Sequence, residues 1–189
     1  HPHAGIVFTL DEDPEWTSLA LTQLWHYPFP VRLVNYATAV LLRRKWAQKQ
    51  GDAASSACLY VGNLLQVAVM DQGVVCRGEI GTDIDIGHVR VTPDGDRCHC
   101  GRRGCFLTVA TRANHQRLLA QAVSGRAGVE KRLALSLACV LKHVGREFGV
   151  QSFVVGGYPA ELGEAFRRAC ATEVGRVPVE WLPVREEGA

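Results

Sequence analysis

No stretch of this chain reaches the roughly twenty consecutive apolar residues that a membrane-spanning helix requires. Nothing at its start resembles a basic segment followed by the apolar core of a secretion signal. An excess of charge is also missing: 21 Lys and Arg against 19 Asp and Glu leave a formal charge of +2. That balance is too small to argue for nucleic-acid binding by the segment as a whole, and the densest basic run, Arg43-Arg44-Lys45, reads as one solvated helix face. Internal repeats and low-complexity tracts are absent, as is an initiator Met. His1-Pro2-His3 opens the chain, and the expectation is a remnant of something longer. What is present suits a soluble folded unit: 189 residues, 47% hydrophobic and 21% charged, enough for one substantial core.

Seven cysteines make an odd count, which argues against a complete disulfide framework and for a reducing, cytoplasmic compartment. Cys58, Cys76, Cys139 and Cys170 each sit in apolar sequence, as buried small hydrophobes do. The other three stand together in Cys98-His99-Cys100-Gly101-Arg102-Arg103-Gly104-Cys105, with Gly87-His88 a short way upstream. Three thiols and one imidazole supply the four soft or borderline ligands of a tetrahedral Zn²⁺, and the two glycines let a loop fold tightly around it. The ligands read as His88, Cys98, Cys100 and Cys105, with His99 a solvated loop residue. Four protein ligands leave no open position, so such a zinc is structural rather than hydrolytic. The competing readings are a disulfide between two of the thiols and a chance cluster in a reduced loop.

Periodicity places a short strand at Val31–Asn35 after the Pro28-Phe29-Pro30 breaker and a helix at Ala37–Lys49. Strands follow at Ala57–Gly62 and Leu65–Met70, with Asp71-Gln72-Gly73 turning the chain into a return strand at Val74–Arg77. Residues 78–87 and the cysteine cluster read as loop. Helical spacing then runs over Leu107–Val123 and Val129–Phe148. Ser152–Val155 is a strand, Gly156-Gly157-Tyr158-Pro159 a sharp turn, Glu161–Thr172 a helix and Val177–Trp181 a last strand. Strands alternating with helices predict an α/β layered fold with ligands at the carboxyl ends of strands.

Gly87-His88 followed by the cysteine loop closely resembles the signature of the ROK family of sugar kinases and sugar-responsive repressors. Pro30-Val31-Arg32-Leu33-Val34-Asn35 resembles the strand leading to that family's catalytic Asn-Asp, and Val154-Val155-Gly156-Gly157 its late strand and glycine turn. The likeness runs from about Trp16 to Tyr158. It implies an actin-like ATPase (ribonuclease H-like) lobe: a mixed sheet with flanking helices and a structural zinc loop at 87–105. Residues 1–45 would be the end of the first, small lobe and 46–189 the second. It further implies a homodimer, with a sugar or sugar phosphate in the cleft between lobes. DNA would be contacted only through a domain outside this chain, since no helix-turn-helix is present here. The family's first phosphate-binding motif, Asp-x-Gly-x-Thr, is absent too.

The departures fall on catalytic positions. Tyr36 stands where family kinases carry the Asp that takes a proton from the sugar, and a phenol with an ordinary pKa of about 10 is a poor base at neutral pH. Gly62-Asn63-Leu64-Leu65-Gln66 stands where a Gly-Thr-Gly-x-Gly loop would cradle phosphate on bare backbone N–H groups. Leu107 replaces one sugar-binding Glu, and Asp85 another. Asn35, Asp85 and His88 remain as ligand-binding candidates, His88 through the ring nitrogen that does not face the metal. Read without the resemblance, Asn35 caps a helix, Asp85 closes a turn and Tyr36 packs. The expected function is a non-catalytic regulator whose effector-binding and dimerisation part is this chain. The alternatives are a sugar kinase lobe and a degenerate, zinc-stabilised interaction module.

Overall fold

A computed structural model describes residues 6–7, 19–20, 34–47, 54–77, 84–123 and 125–182 of the chain. Two short strands, β1 (Ile6–Val7) and β2 (Leu19–Ala20), pair antiparallel. The central element is a five-stranded sheet built from β3 (Ser56–Val61), β4 (Leu65–Asp71), β5 (Val74–Cys76), β6 (Ser152–Gly157) and β7 (Val179–Leu182), in the order β5-β4-β3-β6-β7. The first three form an antiparallel meander, and β3, β6 and β7 run parallel. The mixed sheet expected from the alternation of strands and helices is therefore present. Val34 and Asn35 precede the helix at Tyr36–Ala47 without forming a strand, and the rest of the strand expected at Val31–Asn35 lies outside the described residues, as does most of the loop at 78–87.

Both faces of the sheet are covered, and the period-2 alternation of its strands assigns each side chain to a face. Ala57, Leu59 and Val61 of β3, with Val67, Val69, Phe153 and Val155, join the larger core. Cys58, Ala68, Met70 and Val154 turn the other way, onto Ala37 and Leu41 of α1 (Tyr36–Ala47). Helix α1 runs through residue 45 without a break and packs on β3 and β4. The larger core is closed by α4 (Gly125–Phe148), which buries Val129, Leu133, Leu137, Val140, Leu141 and Val144 along one stripe, and by α5 (Glu164–Val174), which presents Phe166 and Cys170. Of the four cysteines outside the loop, Cys58 and Cys170 are buried, and loss of water pushes each thiol up to about 12. Cys76 is half-buried. Cys139 contradicts its apolar sequence context: it is exposed, on the outward side of α4.

The helix expected at Val129–Phe148 begins earlier, at Gly125, and the one expected at Glu161–Thr172 runs from Glu164 to Val174; two further differences have a local reason. The helix expected over Leu107–Val123 is broken into α2 (Leu107–Ala110) and α3 (Arg112–Gln121). Thr111 between them is extended, its hydroxyl accepts from Asn114 N at 3.3 Å, and Arg112 N donates to Gly62 O at 2.8 Å. A side-chain cap and a long-range backbone bond replace helix continuation. The turn expected at Gly156–Pro159 begins later: β6 continues to Gly157, and a single 3₁₀ turn spans Tyr158–Glu161. Gly157 has φ +91°, and a Cβ there would lie 2.1 Å from Val61 O on the paired strand, so only glycine fits this close parallel pairing.

Candidate metal centre and its surroundings

After β5 the chain forms a loop that brings His88, Cys98, Cys100 and Cys105 together, with their ligand atoms all within 4.8 Å of one another. His88 Nδ1 is 3.6 Å from Cys98 Sγ, and Cys100 Sγ is 3.6 Å from Cys105 Sγ. Ligands on a tetrahedral ion with metal–sulfur bonds of about 2.3 Å stand roughly 3.7 Å apart, so these separations fit one small ion at their centre. The backbone builds the cage. Cys98 N donates to Arg102 O at 2.8 Å, Gly101 N to Cys98 O at 2.9 Å and Gly104 N to Asp96 O at 3.0 Å. Phe106 N donates to Val89 O and Leu107 N to Gly87 O, which fastens the cysteine loop to the His88 segment. Gly104 is indispensable to this packing: φ is +72°, and a Cβ would fall 1.5 Å from Thr92 O.

Cys98 and Cys105 are buried and Cys100 is exposed. The backbone N–H of Arg102, with the neighbouring thiols, lowers the Cys100 thiol to about 6, while burial and the adjoining sulfurs raise Cys105 to about 11. One negative charge is thus readily held, on Cys100, and crowding opposes a second. A divalent cation removes that opposition. The donor set, one imidazole and three thiols, therefore can hold a metal ion and has the composition that Zn²⁺ takes.

His99, expected to be a solvated bystander, is exposed, and its ring stands edge-on to His88 with centroids 5.1 Å apart. Asp85 is also exposed. Its Oδ1 accepts from Gly87 N at 2.7 Å, the turn-closing role. Leu107 reaches the same place: a Cβ on Gly87 would touch its Cδ1 at 3.8 Å. Asn35 is the N-cap of α1, its Oδ1 accepting from Thr38 N at 2.7 Å and its Nδ2 making a long contact of 3.5 Å to Val67 O. Tyr36 follows, half exposed, with its N donating to Gln66 Oε1 and its ring 4.8 Å from that of Tyr60. The Tyr60 ring in turn lies over two glycines at the carboxyl ends of β3 and β6, since a Cβ would meet it at 2.8 Å on Gly62 and at 3.4 Å on Gly156. Sequence reading missed three side chains close to the metal loop. Asp96 and Arg117 pair at 2.7 Å, and Asn114 Nδ2 donates to Leu107 O at 2.8 Å. Residues twenty-one apart carry no local signal of their contact.

Residues 22–161 match the ROK family. The chain belongs to the ROK family. Relatives of both kinds surround it. It is 32% identical over 117 residues to a glucokinase of Thermotoga maritima, a stretch covering 61% of this chain and 37% of that protein. Over 62 residues it is 36% identical to the DNA-binding transcriptional dual regulator NagC of Escherichia coli, 33% of this chain and 15% of the regulator. The chain thus spans about a third or less of the curated ROK relatives it matches. Among solved structures, a ROK family transcriptional regulator homologous to the E. coli MLC protein superposes with TM-score 0.76 at 19% identity, covering 95% of this chain and 54% of that one. The ROK hexokinase of Thermus thermophilus gives 0.75 at 20% identity, covering 98% and 71%. The ROK, actin-like fold expected from the cysteine loop is therefore the fold observed. Among the described residues no helix is long and apolar enough to cross a membrane.

Proposed function

We propose that this chain is the effector-binding and dimerisation part of a non-catalytic, sugar-responsive ROK regulator. The single observation that carries the reading is the placement of Tyr36. It occupies the position after the capping Asn35, packs its ring on Tyr60, and offers a phenol where phosphoryl transfer to a sugar needs a carboxylate base. The phosphate-cradle position supports it as well. Between β3 and β4 the turn carries the exposed Leu64, and Gln66 is bound to the Tyr36 backbone.

In this reading Zn²⁺ is a structural cofactor held by His88, Cys98, Cys100 and Cys105, and it supplies rigidity rather than reactivity. Asn35, Asp85 and His88 contact a sugar or sugar phosphate in the interlobe cleft. His88 turns Nδ1 toward Cys98, which leaves its other nitrogen to donate to a hydroxyl. Ligand binding would alter the lobe angle, read through a homodimer by a DNA-binding domain outside this chain in the cytoplasm. Residues 1–45 are read as the end of the first lobe and 46–189 as the second, with α1 packing on the sheet of the second.

The second reading, a sugar kinase lobe, is favoured by the longer match to the glucokinase. Isothermal titration of the zinc-loaded protein with hexoses, N-acetylhexosamines and their 6-phosphates, alongside ATP and Mg²⁺, separates the two. Saturable sugar binding without ATP binding or turnover supports the regulator. Turnover with any hexose establishes the kinase, and silence across the panel leaves a zinc-stabilised interaction module.

A further inference from the structure

Between the metal loop and the α2–α3 helices lies an open cavity of about 330 Å³, lined on one side by Asp96, Arg97 and Cys98 and on the other by Thr108, Asn114 and Arg117. Its size suits a small metabolite. Two arginines, Arg97 and Arg117, line it, against the single acidic residue Asp96. Arg117 is the centre of the arrangement. One of its terminal nitrogens donates to Asp96 Oδ2 at 2.7 Å and makes a longer contact to Thr108 O at 3.5 Å, and the other donates to Gln121 at 3.1 Å. The Arg117–Asp96 pair is about 40% exposed on each side. An ion pair that wet is weakly held, so an anion with more charge and more acceptor oxygens than a carboxylate can take Asp96's place.

We propose that this cavity is a binding site for a phosphate group, with Arg117 and Arg97 as its anion-binding residues and Asp96 as the internal anion that a ligand displaces. A planar carboxylate is satisfied by one guanidinium, whereas a tetrahedral phosphate accepts from both walls at once. Because Cys98, a candidate metal ligand, forms part of the wall, a bound phosphate exchanges the Asp96–Arg117 tie between loop and helix for a bridge through the ligand. His99 and Leu107 also line the cavity, so the site adjoins the cleft contacts assigned above to Asp85 and His88, and it stands whether or not a neutral sugar binds in that cleft.

The test titrates the intact chain with inorganic phosphate, glucose 6-phosphate and glucose, and compares the wild type with Arg117→Gln, Arg97→Gln and Asp96→Asn, with metal content and melting temperature recorded for each. Inorganic phosphate should bind saturably, and glucose 6-phosphate at the same site. Each Arg variant should weaken both about ten- to a hundredfold. Asp96→Asn should tighten both severalfold, because it removes the competitor. The opposed directions are the discriminating result, since a purely structural clasp would suffer in both variants. Equal affinity in wild type and Arg117→Gln, weakening in Asp96→Asn, or no phosphate signal in the wild type overturns the proposal. Phosphate binding with glucose silent supports this site and counts against a neutral sugar effector, and the reverse overturns this site while leaving that effector reading intact.

Discussion

The imidazole of His115 stacks on the phenol of Tyr158, with ring centroids 5.1 Å apart and planes 24° from parallel. Tyr158 donates its hydroxyl to Ala110 O at 2.7 Å, and the guanidinium of Arg112 sits 5.3 Å from the same phenol ring. His115 is 4% exposed, and its Nε2 has no hydrogen-bond partner. The residue that follows β6, Tyr158, is therefore stacked on a buried histidine of α3.

That burial has a pH consequence. Desolvation, foremost, holds the His115 pKa below its ordinary 6.5; Arg126 and Arg112 act in the same direction, and Glu130 opposes them. Well above pH 6.5 the imidazole is neutral in both folded and unfolded chains and contributes no slope. Below it the unfolded chain takes up a proton that the folded chain resists, so stability falls as pH drops. Thermal melts of the wild type and His115→Phe from pH 8 to pH 5 should show a shallower decline in the variant. Parallel curves would refute the assignment.

Cys98→Ser and Cys105→Ser should abolish metal binding and lower the melting temperature by roughly 6 °C or more, taking a loss of about 3 kcal/mol at 2–4 °C per kcal/mol for a chain of this size. The exposed Cys100 should be the most tolerant of the three thiols to replacement, since its sulfur is already in water. Elemental analysis and calorimetry report both. Full metal content with unchanged melting would dismiss the site.

Gly104→Ala should prevent the loop from closing, because the added methyl would overlap Thr92 O. Gly101→Ala faces the same left-handed backbone, φ +86°, but open space, and should cost only about 1 kcal/mol with metal retained. The contrast between the two is the measurement.

Asn35→Ala should lose about 1 kcal/mol through the vacated cap of α1, whereas Asn35→Asp keeps an acceptor for Thr38 N and should melt like the wild type. Ligand affinity in Asn35→Asp then reports any direct contact with a sugar, free of the capping effect.

Tyr36→Asp places a carboxylate at the base position. With Leu64 still in the β3–β4 turn and Gln66 at the start of β4, the variant should show no ATP-dependent turnover of any hexose. Turnover in the unsubstituted chain would make it a kinase.

What the sequence by itself determined is whatever depends on near neighbours. The cysteine loop was legible because its thiols lie within eight residues, and a chain that short between ligands can converge only if glycines turn it. Strand positions followed from alternation, and α4 from its 3.6-residue stripe. Asn35 as a cap and Asp85 as a turn-closer were readable from residue type and place. Tertiary structure decided the rest, because the deciding contacts are distant along the chain. Arg112 bonds to Gly62 and so ends the helix at Thr111. Gly157 pairs with Val61 and so prolongs β6. Cys139 falls on the solvent side of α4 by the phase of the helix, which hydrophobic neighbours in sequence do not reveal. Tyr60 covers Gly62 and Gly156, and Asp96 meets Arg117 over the cavity. Each of these is a pairing of surfaces across the sheet or between loop and helix. Such pairings arise only when the whole core closes, so no window of sequence contains them.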